Sequence, residues 1–133
     1  WSSDVCSSDL IAAADAIVLG TPNYMGEMTG QLKLFIDRFC TFMHPDYSSR
    51  LAAGKRVGLI FTQGHPDEQC YAGYYANLAN SLRFLGFTGP CVTLVAAGLQ
   101  APGEVAGRAE TLARAFALGR GLVGEPCAMP AAE

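Results

Sequence analysis

The apolar positions along this chain change period several times, and the changes mark three strand–turn–helix units. Ala16-Ile17-Val18-Leu19 is a short uncharged run with two β-branched residues, the pattern of a central parallel strand. Gly20, Pro22 and Gly26 then interrupt regular structure. From Met28 the spacing becomes helical. Met28, Leu32, Phe35, Ile36 and Phe39 share one face, and Gln31, Lys33, Asp37 and Arg38 lie off it. Lys33 and Asp37 form an i,i+4 pair on the polar side. This helix is expected to fade into Phe42-Met43-His44, because Pro45 disfavours helix in the residue before it. A surface loop over His44–Leu51 follows.

The pattern then repeats twice. Lys55 to Phe61 reads as the second strand, ending in a polar turn, Thr62-Gln63-Gly64-His65-Pro66. A helix is expected from Asp67 to Gly86, with acidic residues at its positive end and glycine as its stop. Its apolar stripe is Tyr71, Tyr74, Tyr75, Leu78, Leu82 and Leu85, assigned to core or interface, with Tyr71 nearest the mouth of the turn. Pro90 to Ala97 reads as the third strand. Pro102-Gly103-Glu104 opens a last helix, apolar at Val105, Ala109, Leu112, Ala113, Phe116 and Leu118, which ends near Gly119–Gly124. Asp9–Asp15 reads as the tail of a helix before the first strand. The order is βαβαβα behind a partial helix, an α/β class. Residues 1–9 are compositionally foreign and read as a truncated or artefactual leader, 10–124 as the domain, and 125–133 as a loose tail.

At 133 residues the chain is one domain at most. Half of it is apolar and 16% is charged, which is greasy for a small domain, so some apolar surface is expected to be covered from outside. No apolar run approaches the roughly eighteen residues of a membrane span. A net charge of −3 with scattered basic residues argues against a nucleic-acid surface. Five cysteines (Cys6, Cys40, Cys70, Cys91, Cys127) are widely spaced without a C-x-x-C, so no metal site is expected, and free thiols fit a cytoplasmic setting.

The candidate chemistry lies where strands end. In open α/β sheets ligands bind at the carboxyl ends of the strands. The first such turn carries an aromatic ring (Tyr24), a thioether (Met25), backbone amides around Gly26 and the positive end of the following helix. A flat, electron-rich ligand with a negative edge suits that surface. The Thr62–His65 turn should lie beside it, because consecutive parallel strands usually neighbour one another.

Gly20-Thr21-Pro22-Asn23-Tyr24-Met25-Gly26, with Thr29-Gly30-Gln31-Leu32-Lys33 and Phe35-Ile36-Asp37-Arg38, resembles the flavin-contacting segment of flavodoxin-like NAD(P)H-dependent FMN reductases. The related iron–sulfur flavoproteins and quinone reductases have a similar segment. The resemblance implies a flavodoxin-like doubly wound parallel sheet of order 2-1-3-4-5. This chain would supply its three C-terminal βα units, strands 3-4-5, and would lack the first two strands and the phosphate loop. The Ala16–Leu19 strand would then be an apolar sheet edge. FMN is the implied cofactor, NAD(P)H the co-substrate, and a flavin, quinone or similar small molecule the acceptor. Thr21, Pro22, Asn23, Tyr24, Met25 and Gly26 would hold one side of the ring, and Thr62, Gln63, Gly64 and His65 another edge. Amides around Gln63 and Gly64 would meet the pyrimidine, and His65 would either sit over the ring or cap the next helix. No catalytic acid or base is implied, and a homodimer is. The alternatives are a non-catalytic FMN-binding electron-transfer module and a fragment without flavin affinity. An iron–sulfur version would need a cysteine cluster before residue 11, where only Cys6 stands.

Overall fold

A computed structural model describes residues 7–124. Its centre is a three-stranded parallel sheet in the order β1-β2-β3, formed by β1 (Ala16–Pro22), β2 (Arg56–Thr62) and β3 (Cys91–Ala96). The register runs Ile17–Val57–Cys91, Leu19–Leu59–Thr93 and Thr21–Phe61–Val95 on one face. Val18–Gly58–Val92 and Gly20–Ile60–Leu94 lie on the other. Helices α1 (Ser7–Ala13), α2 (Gly30–Asp37), α3 (Ala72–Phe84) and α4 (Ala109–Leu122) flank the sheet. Residues 1–6 of the expected leader and the tail 125–133 lie outside the described residues, and α1 begins two residues ahead of the expected Asp9.

The first face carries the larger core. Leu19, Val57, Leu59, Phe61 and Val95 pack there with Ile11 of α1, Ile36 of α2, and Tyr75, Leu78 and Leu82 of α3. The α2 stripe is as expected: Ile36 and Phe39 are buried, and Met28, Leu32 and Phe35 pack against them. Lys33 and Asp37 form their ion pair on the outside. Thr29 caps α2 by accepting from Leu32 N–H at 3.3 Å. Beyond Asp37 the helix tightens into a 3-10 turn, Arg38–Phe42.

Among the described residues the second face is covered by α4 alone. Leu118 and Leu122 pack on Leu94, with Ala16, Ile60, Val92 and Ala115 around them. Gly58 is the reason they fit: a Cβ there would lie 2.7 Å from Leu118 Cδ2 and 2.9 Å from Leu122 Cδ1. The helix lies over β2 and β3 with Ala16 of β1 at its margin, and Val18 is 51% exposed. Among the described residues β1 pairs only with β2, which makes it the apolar edge that the resemblance implied.

Two helices differ from expectation. Asp67–Tyr71 is a turn, and α3 starts at Ala72. The last helix is split into a 3-10 turn over Glu104–Gly107 and α4, with Arg108 between them. Its buried residues are Leu118 and Leu122, whereas Leu112 and Phe116 of the expected stripe are exposed.

Candidate functional site

The sheet's last rung is Pro22–Thr62–Ala96, and the three chains leave it together. Their exits are laced to one another by backbone bonds. Asn23 N–H donates to Thr62 O at 2.7 Å, Gln63 N–H to Ala96 O at 3.0 Å, and Leu99 N–H to Gln63 O at 2.9 Å. Gly98 N–H donates to His65 O at 3.0 Å. Above this lacing lies an open cleft of about 390 Å³, within the usual range for small-molecule sites. It is walled by Pro22–Tyr24, by Thr62–Gly64 and by a third segment, Leu99–Val105.

The first wall is a strained hairpin. Tyr24 and Glu27 exchange backbone bonds at 2.9 and 3.1 Å across a two-residue tip. Both tip residues have positive φ, 56° at Met25 and 90° at Gly26, the pattern of a type I′ turn. Glycine takes that conformation freely and methionine does not. Three tyrosines hold this hairpin from below. The Tyr71 ring packs under Gly26, where a Cβ would meet it at 3.5 Å. Tyr74 Oη accepts from Met28 N–H at 3.0 Å. Tyr75 Oη accepts from Asn23 Nδ2 at 2.7 Å and donates to Gln63 Oε1 at 2.7 Å, joining the first wall to the second. The tyrosine stripe is therefore the site's foundation as well as core. The sequence shows its helical spacing but not that its hydroxyls reach the turn.

The expected residues divide accordingly. Pro22, Asn23, Tyr24, Thr62, Gln63 and Gly64 line the cleft. Tyr24 presents a ring that is 66% exposed. Thr21 is buried, its hydroxyl donating to Pro22 O at 2.9 Å and accepting from Thr29 N–H at 3.1 Å. Met25 is fully exposed and Gly26 rests on Tyr71, both outside the cleft lining. The His65 Nδ1 accepts from Asp67 N–H at 3.1 Å, within the turn ahead of α3, and its ring stands edge-on to Tyr71. Gln63 N–H and both ends of its side chain are engaged within the protein, the amide Nε2 donating to His65 O and Asp67 O. Among the described residues no hydrogen bond engages the Gly64 or His65 N–H, which leaves two adjacent donors on the second turn.

Electrostatics at the floor favour a neutral phenol. Burial pushes the Tyr75 hydroxyl above the usual tyrosine value, against the smaller pull of the Asn23 amide, and keeps it a donor to Gln63. The third wall carries the only carboxylate in the cleft lining among the described residues, Glu104. Its pKa is lowered by the Gln100 amide first, then by Arg108 and the Ala101 amide.

A parallel sheet in simple order with helices on both faces, and a cleft at the strands' carboxyl ends, define a flavodoxin-like α/β protein. The model of the NADPH-dependent FMN reductase family matches residues 7–72, and the chain belongs to that family. An FMN-dependent NADH:quinone oxidoreductase of Methylorubrum populi is 35% identical over 111 residues, which cover 76% of this chain and 54% of the relative. The chain thus spans about half the length of the curated relatives it matches. Two solved structures superpose with a TM-score of 0.59 each. One is an NAD(P)H:quinone oxidoreductase from Methanothermobacter marburgensis, 20% identical, covering 85% of this chain and 59% of that one. The other is a thermophilic tryptophan halogenase from Streptomycin violaceusniger, 19% identical, covering 88% and 70%. The two are named for different activities, so at this identity they speak for the fold alone.

Proposed function

We propose that this chain forms the ring-binding half of an FMN-dependent NAD(P)H oxidoreductase that passes electrons to a quinone, flavin or similar small acceptor. The observation that carries the proposal is the cleft itself. Of the two segments that the family resemblance singles out, Thr21–Gly26 and Thr62–His65, the parts Pro22–Tyr24 and Thr62–Gly64 line it side by side at the ends of adjacent strands. The residues fit the group. Tyr24 offers an exposed ring for stacking, and the free Gly64 and His65 amides match the acceptor edge of a pyrimidine. When bound, FMN would supply hydride and electron transfer, while the protein supplies orientation and electrostatics. Tyr24 would fix the plane of the ring, and the second turn would fix its edge. The tyrosine floor excludes water from beneath, and Tyr75 holds its proton on Oη rather than passing it on.

The site residues proposed for the ring are Thr21, Pro22, Asn23, Tyr24, Met25, Gly26, Thr62, Gln63, Gly64 and His65. Pro22–Tyr24, Thr62–Gly64, the His65 N–H and the exposed Met25 thioether make direct contact in this reading, and Thr21 and Gly26 shape the first turn. No helix among the described residues is long and apolar enough to cross a membrane. A cytoplasmic homodimer completes the proposal and rests on the family resemblance. The test is an FMN titration followed by flavin fluorescence, on this chain and on a relative-length chain extended upstream, together with NAD(P)H oxidation in the presence of a quinone. Binding and quinone-dependent turnover by the extended chain are expected. If neither chain binds FMN, the oxidoreductase reading is withdrawn.

A further inference from the structure

The third wall of the cleft is tied to the second turn by one side chain. Gln100 Nε2 donates to Gly64 O at 2.8 Å. A Cβ at Gly64 would lie 3.2 Å from that same nitrogen, so the two residues are packed as well as bonded. Gln100 is held from behind in turn. Glu104 Oε2 accepts from Gln100 N–H at 2.7 Å and from Ala101 N–H at 3.2 Å. Glu104 Oε1 accepts from Arg108 Nη2 at 2.7 Å. Arg108 also donates to Ala97 O at 2.7 Å and to Gly98 O at 2.6 Å, just beyond β3. A continuous run of hydrogen bonds therefore leads from the end of the third strand to the Gly64 carbonyl.

That carbonyl shares a peptide plane with the His65 N–H. In a trans peptide the C=O and N–H point in opposite directions, so holding Gly64 O fixes where His65 N–H aims. Gln63 O and His65 O are anchored to the same third segment through Leu99 and Gly98. Resting on the flavin reading above, we propose that Gln100 is a positioning residue. It is braced by Glu104 and Arg108, and it sets the Gly64–His65 peptide to meet the acceptor edge of a heteroaromatic ring. Nothing in the chain's periodicity announces this role, because Gln100 lies between the expected third strand and the expected last helix.

The test compares the wild-type chain with Gln100→Ala, which loses the donor, and Gln100→Lys, which keeps one. Amide hydrogen exchange of Gly98 and Leu99 reads the hold on the turn without any ligand, and an FMN titration reads its consequence. One lost hydrogen bond corresponds to about a two- to tenfold effect. Gln100→Ala is expected to speed exchange at Gly98 and Leu99 by that factor, leave β2 amides unchanged, and weaken FMN binding similarly. Gln100→Lys is expected to restore both. Unchanged exchange in Gln100→Ala overturns the proposal whether or not FMN binds. Faster exchange with undiminished FMN affinity also overturns it, since the turn is then held for some other reason. Where the wild-type chain takes up no FMN, the titration is read on the upstream-extended chain carrying the same substitutions. If that chain also takes up none, the flavin reading is refuted, and the exchange data alone uphold or reject the hold of Gln100 on the turn.

Discussion

The Tyr75 hydroxyl donates to Gln63 Oε1 at 2.7 Å while accepting from Asn23 Nδ2 at the same distance. Two residues expected to contact a ligand from separate turns are thereby bonded to each other through a helix beneath them. Tyr75 also stacks on Phe61 of the central strand, ring centroids 4.0 Å apart, so the brace is seated on the sheet. The Gln63 side chain is only 3% exposed and fully engaged, so the proposed binding mode relies on the backbone of the second turn.

Tyr75→Phe keeps the stack and removes both hydrogen bonds. It strands Gln63 Oε1 in a buried position and takes the acceptor from Asn23 Nδ2, while Asn23 Oδ1 keeps the Gly26 N–H at 2.9 Å. Leaving such a group unsatisfied costs about 1–3 kcal/mol. Urea denaturation should show that loss, and FMN affinity should fall with it because both turns slacken. An unchanged midpoint would mean that the brace contributes nothing.

Alkaline pH should reproduce part of that loss. Burial raises the Tyr75 pKa above its ordinary value, so folding favours the protonated phenol. The associated stability is fully present below about pH 10 and is lost as pH rises through the raised value. Thermal midpoints measured from about pH 8 to 11 should therefore decline more steeply for wild type than for Tyr75→Phe. Parallel curves would remove Tyr75 from the account.

What the sequence displays is periodicity, and where periodicity governs, the fold follows. The Ala16–Leu19 run is a strand, and Met28, Leu32, Phe35, Ile36 and Phe39 form the buried face of α2 and its continuation. The Asp67–Tyr71 start of the next helix fails because local side-chain bonds compete for its backbone. Gln63 Nε2 takes Asp67 O, His65 Nδ1 takes Asp67 N–H, and the Asp67 carboxylate accepts from Gln69 N–H at 2.9 Å. The buried stripe of α4 departs from its apparent spacing for a different reason. Leu118 and Leu122 are buried because they descend on Gly58, and only the sheet register reveals that. The third wall leaves no trace in the sequence pattern because its order comes from Arg108 and Glu104 rather than from any repeat.

Gly58→Ala tests that descent. Its new methyl group would overlap Leu118 Cδ2 and Leu122 Cδ1 and approach Val18 Cγ2 at 3.3 Å. Overpacking of this kind costs about 1–3 kcal/mol. The thermal midpoint should drop, and Gly58→Val should drop it further. A neutral alanine variant would show that α4 can lift from β2 freely.

Lys55 joins α1 to the sheet. It is 5% exposed, and its ammonium donates to Ala12 O at 2.7 Å and to Ala14 O. A cation at a helix C-terminus satisfies carbonyls that the helix itself leaves open. Lys55→Met keeps the stem but not the donors, and hydrogen bonds to charged groups are worth about 1.5–3 kcal/mol. Exchange of α1 amides should accelerate before that of β2. If α1 and β2 exchange as in wild type, the ammonium is not what closes the helix.

Met25 combines two unfavourable features, a left-handed backbone and a fully exposed apolar side chain. A non-glycine residue pays about 1–2 kcal/mol in that conformation, and asparagine pays least among them. Strain of this kind, returned by no burial, is consistent with the contact that the proposed function assigns to Met25. Met25→Asn should therefore raise the denaturation midpoint while lowering FMN affinity. Met25→Val, whose branched side chain is least compatible with positive φ, should lower both. A Met25→Asn chain that gains stability and binds FMN as tightly as wild type would take the thioether out of the ligand site and leave the hairpin's Tyr24 as its aromatic contact.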